Sequence, residues 1–344
     1  MNTLSYPETT ATPLLAIGES IDWLLAVLLD VLWGSVLDVL ATLTGLRMLG
    51  FPFMQRAYLA AICIGIIGPL VGSFLVHREM AMIGDTLAHS AFAGVAAGLF
   101  VNALFSLSVP PLLTALLVAA IAALLVQMLV DYAGAYRDTS LAIVLTGSFA
   151  VGSVLVTATD GGIAVGINAY LFGSLATVSR LSAGILVAMS VVVGLVVTVA
   201  YRPLVYVTFD EVGARAAGLS VKRYNQLIAV LTAVVVVGAM QIMGVILVAA
   251  MLVIPVAATT WVGGFKRSVM AAVVAGQLAT VVGVTLSYVY DVAAGGTIVL
   301  VAIGIYVMLQ AGLRFRHRVV TRQLGQQTAP EETRATPGSG RDEN

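Results

Sequence analysis

Nine stretches of this sequence are long and apolar enough to cross a lipid bilayer as helices, and no other feature limits the possible folds as strongly. A bilayer offers no partner to an exposed backbone N–H or C=O group, so a crossing segment must satisfy its own hydrogen bonds, which takes about 20 residues of helix. The sequence therefore predicts an all-α, polytopic membrane protein of about nine or ten transmembrane helices. The nine stretches are 57–76, 83–102, 108–130, 140–158, 182–201, 224–240, 244–262, 269–290 and 297–313.

The composition excludes several other classes of protein. Hydrophobic residues make up 60% of the chain and charged residues 10%, whereas an ordinary soluble domain carries about 25% charged residues. Lys+Arg 17 balance Asp+Glu 17, so no net charge would attract nucleic acid. The single cysteine, Cys63, excludes a zinc site made of several thiolates.

Three regions follow from the hydropathy pattern. Residues 1–50 form an N-terminal extension, 51–318 the transmembrane domain, and 319–344 a polar tail that we expect to be disordered and cytoplasmic. The stretch 21–49 of the extension carries Asp22, Asp30 and Asp38. Eight-residue steps rotate each Asp by about 80° on a helix, so an interfacial amphipathic helix and a tenth span both stay open.

The positions of Lys and Arg in the short loops indicate the orientation, because cationic residues are kept on the cytoplasmic side. Alternation through the nine stretches places most of them on one side and only Arg47, Arg56 and Arg180 on the other. The sequence therefore predicts a multi-pass protein of the cell membrane with a cytoplasmic C-terminus.

Asp85 and His89 are the outstanding ionisable pair inside a predicted span, where such groups are a functional hypothesis by default. Four residues apart on a helix, they share one face with about 6 Å between their Cβ atoms. A carboxylate and an imidazole at this spacing can bind one divalent cation in part, with zinc or manganese as candidates. Alternatively, Asp85 caps its helix and His89 hydrogen-bonds to it, with no metal.

A long predicted cytoplasmic loop at 201–224 contains the segment FDEVGARAAG at 209–218. Its acidic first turn and its terminal glycine predict a short helix whose ends match the helix dipole. The same pattern fits an ordinary surface helix or a helix that docks to a soluble ATPase.

Catalytic signatures are absent from the sequence. No GxxxxGK[ST] segment occurs, and lysine is found only at positions 222 and 266, so the chain is not itself a P-loop ATPase. The motifs HExxH and GxSxG are missing as well. We therefore expect a transport protein and not an enzyme, with no permanently bound cofactor.

Seven motifs, in this order, resemble the membrane permeases of ABC-type zinc and manganese importers. They cover about residues 51–313. The motifs are FPFMQRA at 51–57, REM and GDTLAHS at 78–80 and 84–90, DTSLAI at 138–143, AYLFGS at 169–174, FDE at 209–211, MGVIL at 243–247 running to Ile254-Pro255, and Tyr290-Asp291 with GTIVL at 296–300.

The resemblance implies a permease bundle of the cobalamin-importer type. Two copies would pair around a central path, two ATPase subunits would bind below, and an extracytoplasmic metal-binding protein would deliver the ion. Asp85 and His89 fall on the motif that lines the metal path. The sequences of residues 84–89 and 169–173 resemble the zinc branch of the family more than the manganese branch.

The resemblance also assigns the cytoplasmic loop to ATPase coupling. Its coupling residues would be Phe209, Asp210, Glu211 and Gly218. The expected function is therefore that of a permease subunit which imports Zn²⁺, or next Mn²⁺, as a transported substrate. The alternative is an ion-coupled secondary metal transporter with Asp85 and His89 as a proton or metal relay.

Overall fold

A computed structural model describes residues 25–105, 109–132, 136–158, 169–174 and 178–327. Regular structure in these residues is helical, as the sequence predicts. The helices are α1 (Ala26–Thr44), α2 (Pro52–His77), α3 (Met82–Phe105), α4 (Pro111–Tyr132), α5 (Arg137–Thr157), α6 (Arg180–Val199), α7 (Tyr201–Phe209), α8 (Glu211–Ala216), α9 (Val221–Met243), α10 (Val245–Ala257), α11 (Phe265–Tyr290) and α12 (Ala294–Gln327).

Eight of the nine predicted stretches form long helices, and the all-α membrane fold is confirmed. The exception is 244–262, where α10 has 13 residues and a length of about 20 Å at 1.5 Å per residue. This helix is too short to cross a bilayer alone. When α1 is included, nine helices in the described part of the chain are long and apolar enough to cross.

Helices α2, α3 and α9 form the centre of the bundle, and more than half of the residues in the apolar part of each are buried. Helix α3 packs between α4 and α5, and α9 packs against α2, α3 and α4. Helices α5, α6 and α12 bury few of their residues within one chain. Their outer faces therefore meet lipid or another protein.

Glycines allow the turn 169–172 to pack against the junction between α9 and α10. Gly244 breaks the helix with φ 78°, and Gly173 has φ 76°, both in the region that favours glycine. A Cβ atom on Gly244 would overlap the carbonyl of Leu171, and one on Gly173 would overlap the carbonyl of Ile242. The motifs at 169–174 and 243–247 therefore meet in space.

Helix α1 is attached to the first turn of α2 by hydrogen bonds. The indole Nε1 of Trp33 donates to the carbonyl of Gln55 at 2.8 Å, and Nε2 of Gln55 donates to Oδ1 of Asp38 at 2.8 Å. The helix is π-helical over Ala26–Trp33 and α-helical over Gly34–Thr44. The middle of α1 is therefore held against the N-terminus of α2.

An ion-pair cluster joins α1 to two further helix starts. Asp30 lies 3.8 Å from Nη2 of Arg56 on α2, and its other carboxylate oxygen contacts Nη2 of Arg180 at the start of α6. Arg56 and Arg180 are two of the three cationic residues that the charge pattern places on the non-cytoplasmic side. The carboxylate of Asp30 therefore partly neutralises the positive charge of these two arginines.

Helix α12 continues to Gln327, so residues 319–327 are helical where the sequence predicts the beginning of a disordered tail. Arg322, Gln323 and Leu324 are good helix formers, and no proline follows before Pro330. Residues 328–344 of that tail and residues 1–24 of the extension lie outside the described residues.

Candidate functional site

Asp85 lies in the first turn of α3, and His89 follows one turn later. Between them, Thr86, Leu87 and Ala88 are fully buried, which turns the other face of the helix outward. The side chain of Asp85 is 42% exposed and that of His89 20% exposed within one chain. Both therefore open onto a surface of the bundle and not into its packed centre.

The two side chains are close enough to share an ion without bonding to each other. Nε2 of His89 lies 3.8 Å from Oδ1 of Asp85, which is too far for a hydrogen bond. Two ligands each about 2.1 Å from a metal are roughly 3.4 Å apart at a tetrahedral angle, so a small rotation of either side chain completes the geometry. Helix α3 begins at Met82, so Asp85 is inside the first turn and not at the N-cap.

Aromatic rings hold the imidazole of His89 in place. The ring of Phe149 on α5 stands edge-on to His89 with a centroid distance of 5.3 Å, and Phe92 stacks on Phe149 at 5.6 Å. Nδ1 of His89 is buried without a hydrogen-bond partner among the described residues. Ring packing thus fixes the imidazole, and Nε2 is the nitrogen directed towards Asp85.

Hydroxyl groups connect α3 to α5 around this pair. Oγ of Ser90 and Oγ of Ser148 are 2.9 Å apart, and Oγ1 of Thr86 donates to the carbonyl of Leu141 at 3.4 Å. These contacts fix the position of α5 beside His89. Helix α5 is therefore the second structural element of the candidate site.

The described residues contain no group of three or more His, Cys, Asp or Glu side chains that could hold a metal. At this site the described part of one chain thus offers one carboxylate and one imidazole. Such a pair can replace part of the hydration shell of a cation, whereas a closed cage of four ligands would hold it tightly.

The segment 209–218 forms the short helix that its sequence predicts. Helix α8 is preceded by Asp210, whose carboxylate accepts a hydrogen bond from the N–H of Gly213 at 2.7 Å. The ion pair of Arg215 and Glu211, one turn apart, measures 3.2 Å. The first contact caps the N-terminus of the helix, and the second joins its first turn to its last.

The other end of α8 closes with a Schellman motif. The N–H of Leu219 bonds to the carbonyl of Ala214 at 2.9 Å, and that of Gly218 bonds to the carbonyl of Arg215 at 3.0 Å. Gly218 has φ 82°, which this motif requires and glycine supplies. Val212 is 80% exposed, so this short capped helix carries an apolar side chain on its outer surface.

An aromatic cluster joins this loop to the transmembrane core. The rings of Phe209 and His77 are 5.7 Å apart, and each also contacts Phe265 at the start of α11. The end of α7, which directly precedes α8, therefore contacts the end of α2 and the start of α11.

Sequence reasoning missed Phe149 and the partners of Asp30. Phe149 is one of several aromatic residues in apolar stretches, and nothing in the sequence indicates that it faces His89. Arg56 and Arg180 did carry a signal, because they are exceptions to the charge asymmetry. Their common partner could not be derived without the packing of α1.

Comparison with known proteins shows which family this chain resembles. The family model described as ABC 3 transport family matches residues 50–312. The manganese transport system membrane protein MntC of Halalkalibacterium halodurans is 33% identical over 262 residues, which cover 74% of this chain and 86% of that protein. The manganese import system permease protein ScaB of Streptococcus gordonii is 29% identical, with 75% and 90% covered.

A solved structure agrees with these relatives. The structure of PsaBC from Streptococcus pneumoniae in complex with Fab matches with a TM-score of 0.68 and 28% identity, covering 76% of this chain and 92% of the solved chain. The family match spans more than half of the sequence, including Asp85, His89 and α8. The chain therefore belongs to the ABC 3 transport family, as a membrane permease subunit and not an enzyme.

Proposed function

We propose that this chain is the membrane permease of an ATP-driven importer for a divalent metal ion, with Asp85 and His89 on the path of the ion. The main support is that the two side chains face outward, with 3.8 Å between Nε2 of His89 and Oδ1 of Asp85. Its donors can bind the ion briefly without enclosing it. Conduction needs such weak binding, since an ion must also leave each site.

Manganese is the preferred substrate in this proposal. Both relatives reported above carry manganese in their names. They do not support the preference for zinc that the sequences of the motifs indicated. A carboxylate and an imidazole accept either metal. The residues of the site therefore do not decide between the two, and manganese rests on the relatives.

The energy source in this proposal is an ATPase that docks on α8. The exposed Val212 and the capped helix ends offer a rigid docking element, and the Phe209, His77 and Phe265 cluster would pass its movement to α2 and α11. An extracytoplasmic metal-binding protein would deliver the ion from the other side, and the C-terminus would lie in the cytoplasm. Family membership favours this mechanism over an ion-coupled secondary transporter.

Uptake of radioactive Mn²⁺ into cells or proteoliposomes that contain the whole transporter tests the proposal. Asp85→Ala and His89→Ala should each abolish uptake, because each removes one of the two ligands in the chain, while ATP binding and subunit assembly stay intact. Leu104→Ala is the matched control, since it truncates an exposed side chain at the far end of the same helix.

Competition identifies the substrate in the same assay. Excess unlabelled Mn²⁺ should block uptake, Zn²⁺ and Fe²⁺ should compete less well, and Mg²⁺ should not compete, because it dehydrates reluctantly. Unchanged uptake in both alanine variants would refute the role of the pair. Uptake driven by a proton gradient without ATP would refute the ATP-driven mechanism instead.

A further inference from the structure

A groove on the outside of the bundle lies between α1, α2 and α6, away from Asp85 and His89. Its volume is about 520 Å³, within the range of about 300–1,000 Å³ that is usual for small-molecule sites. Apolar side chains and one glycine line it. They include Leu25, Leu28, Leu32, Leu59, Gly184 and Ala188.

The cluster of Asp30, Arg56 and Arg180 adjoins this groove, since Asp30 follows the lining residue Leu29 on α1. Arg56 precedes Leu59 by three residues on α2, and Arg180 precedes Gly184 by four on α6, so each arginine shares a helix face with a lining residue. Two guanidinium groups face one carboxylate, which leaves a net charge of +1. An apolar groove and a cationic cluster thus lie next to each other.

The hydrogen-bonding capacity of this cluster is not exhausted. Nε of Arg56 is buried without an acceptor in the part of the chain that is described, and its Nη2 is 3.8 Å from Asp30. A buried donor without a partner destabilises the protein. Arg180 is 43% exposed on its side chain. An additional anionic acceptor would therefore be stabilised here.

We propose that this groove binds one anionic phospholipid, with its phosphate at Arg56 and Arg180 and an acyl chain along α6. Guanidinium groups bind phosphate oxygens in a bidentate manner. Free phosphate would satisfy the charge and leave the groove unfilled. A zwitterionic lipid would fill the groove but bring its own cation close to the two arginines.

The surroundings favour a lipid over a protein as the occupant. Exposed apolar side chains surround the groove on α1 and continue from it along α6, among them Val31 on α1 and Val191 and Leu195 on α6. A continuous apolar surface of this kind on a membrane protein is covered by acyl chains. The groove is then the part of that surface where a single lipid is held by its head group.

Native mass spectrometry of the intact transporter tests the proposal, with phosphatidylglycerol and phosphatidylcholine of the same acyl chains as probes. We expect one phosphatidylglycerol per permease chain to be retained preferentially. Arg180→Gln should lower its retention roughly fivefold, as expected for the loss of one basic residue near a lipid surface. The preference over phosphatidylcholine should disappear, since the cluster becomes neutral.

Gly184→Leu should reduce the retention of both lipids, because the new side chain overlaps the flexible end of Leu25, and after Leu25 shifts the two side chains together fill the groove. Two matched controls should behave as the unchanged protein. Arg202→Gln removes an exposed arginine beyond the other end of α6, and Gly194→Leu adds a side chain to α6 where no atom lies within 4 Å of the new Cβ.

Several outcomes would overturn the proposal. Equal retention of both lipids by the unchanged protein would show a groove without head-group recognition. Retention that Arg180→Gln leaves unchanged would place the lipid elsewhere. Lipid binding that appears only after deletion of residues 1–24 would show that these residues fill the groove. Loss of the bound phosphatidylglycerol on addition of inorganic phosphate alone would identify a simple anion site.

Discussion

At the scale of single residues, Asp85 and His89 could be selected from the sequence because ionisable groups are rare inside an apolar span. Their spacing of one turn also fixed their common helix face in advance. What the sequence could not give is the neighbour of His89, since Phe149 is on another helix. The contact of 5.3 Å between the two rings arises only from the packing of α3 against α5.

Phe149→Leu tests whether this ring positions His89. An aromatic pair contributes about 0.5–1.5 kcal/mol beyond its buried area, so we expect Mn²⁺ uptake at low metal concentration to fall roughly 2- to 10-fold. The concentration for half-maximal uptake should rise, because a loosely held imidazole binds the ion less well. Phe105→Leu, at an exposed position of α3, is the matched control.

Equal effects of Phe149→Leu and Phe105→Leu would contradict the positioning role. So would a lower maximal rate with an unchanged half-maximal concentration. That result would indicate a change in the movement of α5 instead of in the affinity of the site.

At the scale of elements, the hydropathy pattern predicted the long helices well because a bilayer imposes one length on every crossing segment. It failed at 244–262, where Gly244 breaks the chain into α9 and a short α10. Glycine occurs 34 times in this sequence, and most of these positions are ordinary helix. Only the approach of the Leu171 carbonyl shows why this one is a break.

The depth of α1 in the membrane is a prediction at the same scale. Gly34 and Asp38 contact Gln55 in the first turn of α2, so the middle of α1 should lie near the membrane surface and not at its centre. A nitroxide on Ser35→Cys, with Cys63 replaced by Ser, should report a depth close to that of position 53. Position 66, an exposed site in the middle of α2, supplies the deep reference.

A depth for position 35 equal to that for position 66 would make α1 a true crossing segment. The contacts to Gln55 would then have to break in the bilayer. The measurement therefore decides between the two interpretations of 21–49 that the sequence left open.

Helix α8 yields a further prediction, on the binding of the ATPase. Val212→Asp places a charge at the most exposed apolar position of this helix, and a charge buried in an interface without a partner is costly. We expect copurification of the ATPase subunit to fall at least about tenfold, or ~1.4 kcal/mol. The matched control is Val292→Asp, at an exposed valine in the turn between α11 and α12, which should leave copurification of the ATPase unchanged. A loss of copurification in that variant would contradict the assignment of α8 to the cytoplasmic side.

At the scale of the whole molecule, the motifs that carry the family resemblance are far apart in the chain, and four of them meet in two pairs through helix packing. Residues 84–90 lie beside α5, and residues 169–174 pack against the α9–α10 junction. No pattern in one sequence shows these meetings, because they depend on steric fits between backbones. The order of the motifs could identify the family, whereas the assembly of the site needed coordinates.

The arrangement of two copies is the last consequence of this packing. If the ion passes between two permease chains, the surface around Asp85 and His89 must face the partner, and α5 must lie at the interface. Ala142 is exposed on α5, about two turns before Phe149 and on the same side of the helix. In a Cys63→Ser background, Ala142→Cys should therefore form a disulfide-linked dimer under mild oxidation, whereas Ala188→Cys on α6, at the lipid groove, should stay monomeric on a denaturing gel. A linked dimer from Ala188→Cys alone would place the partner on α6, and the metal path could then not run between the two copies at Asp85.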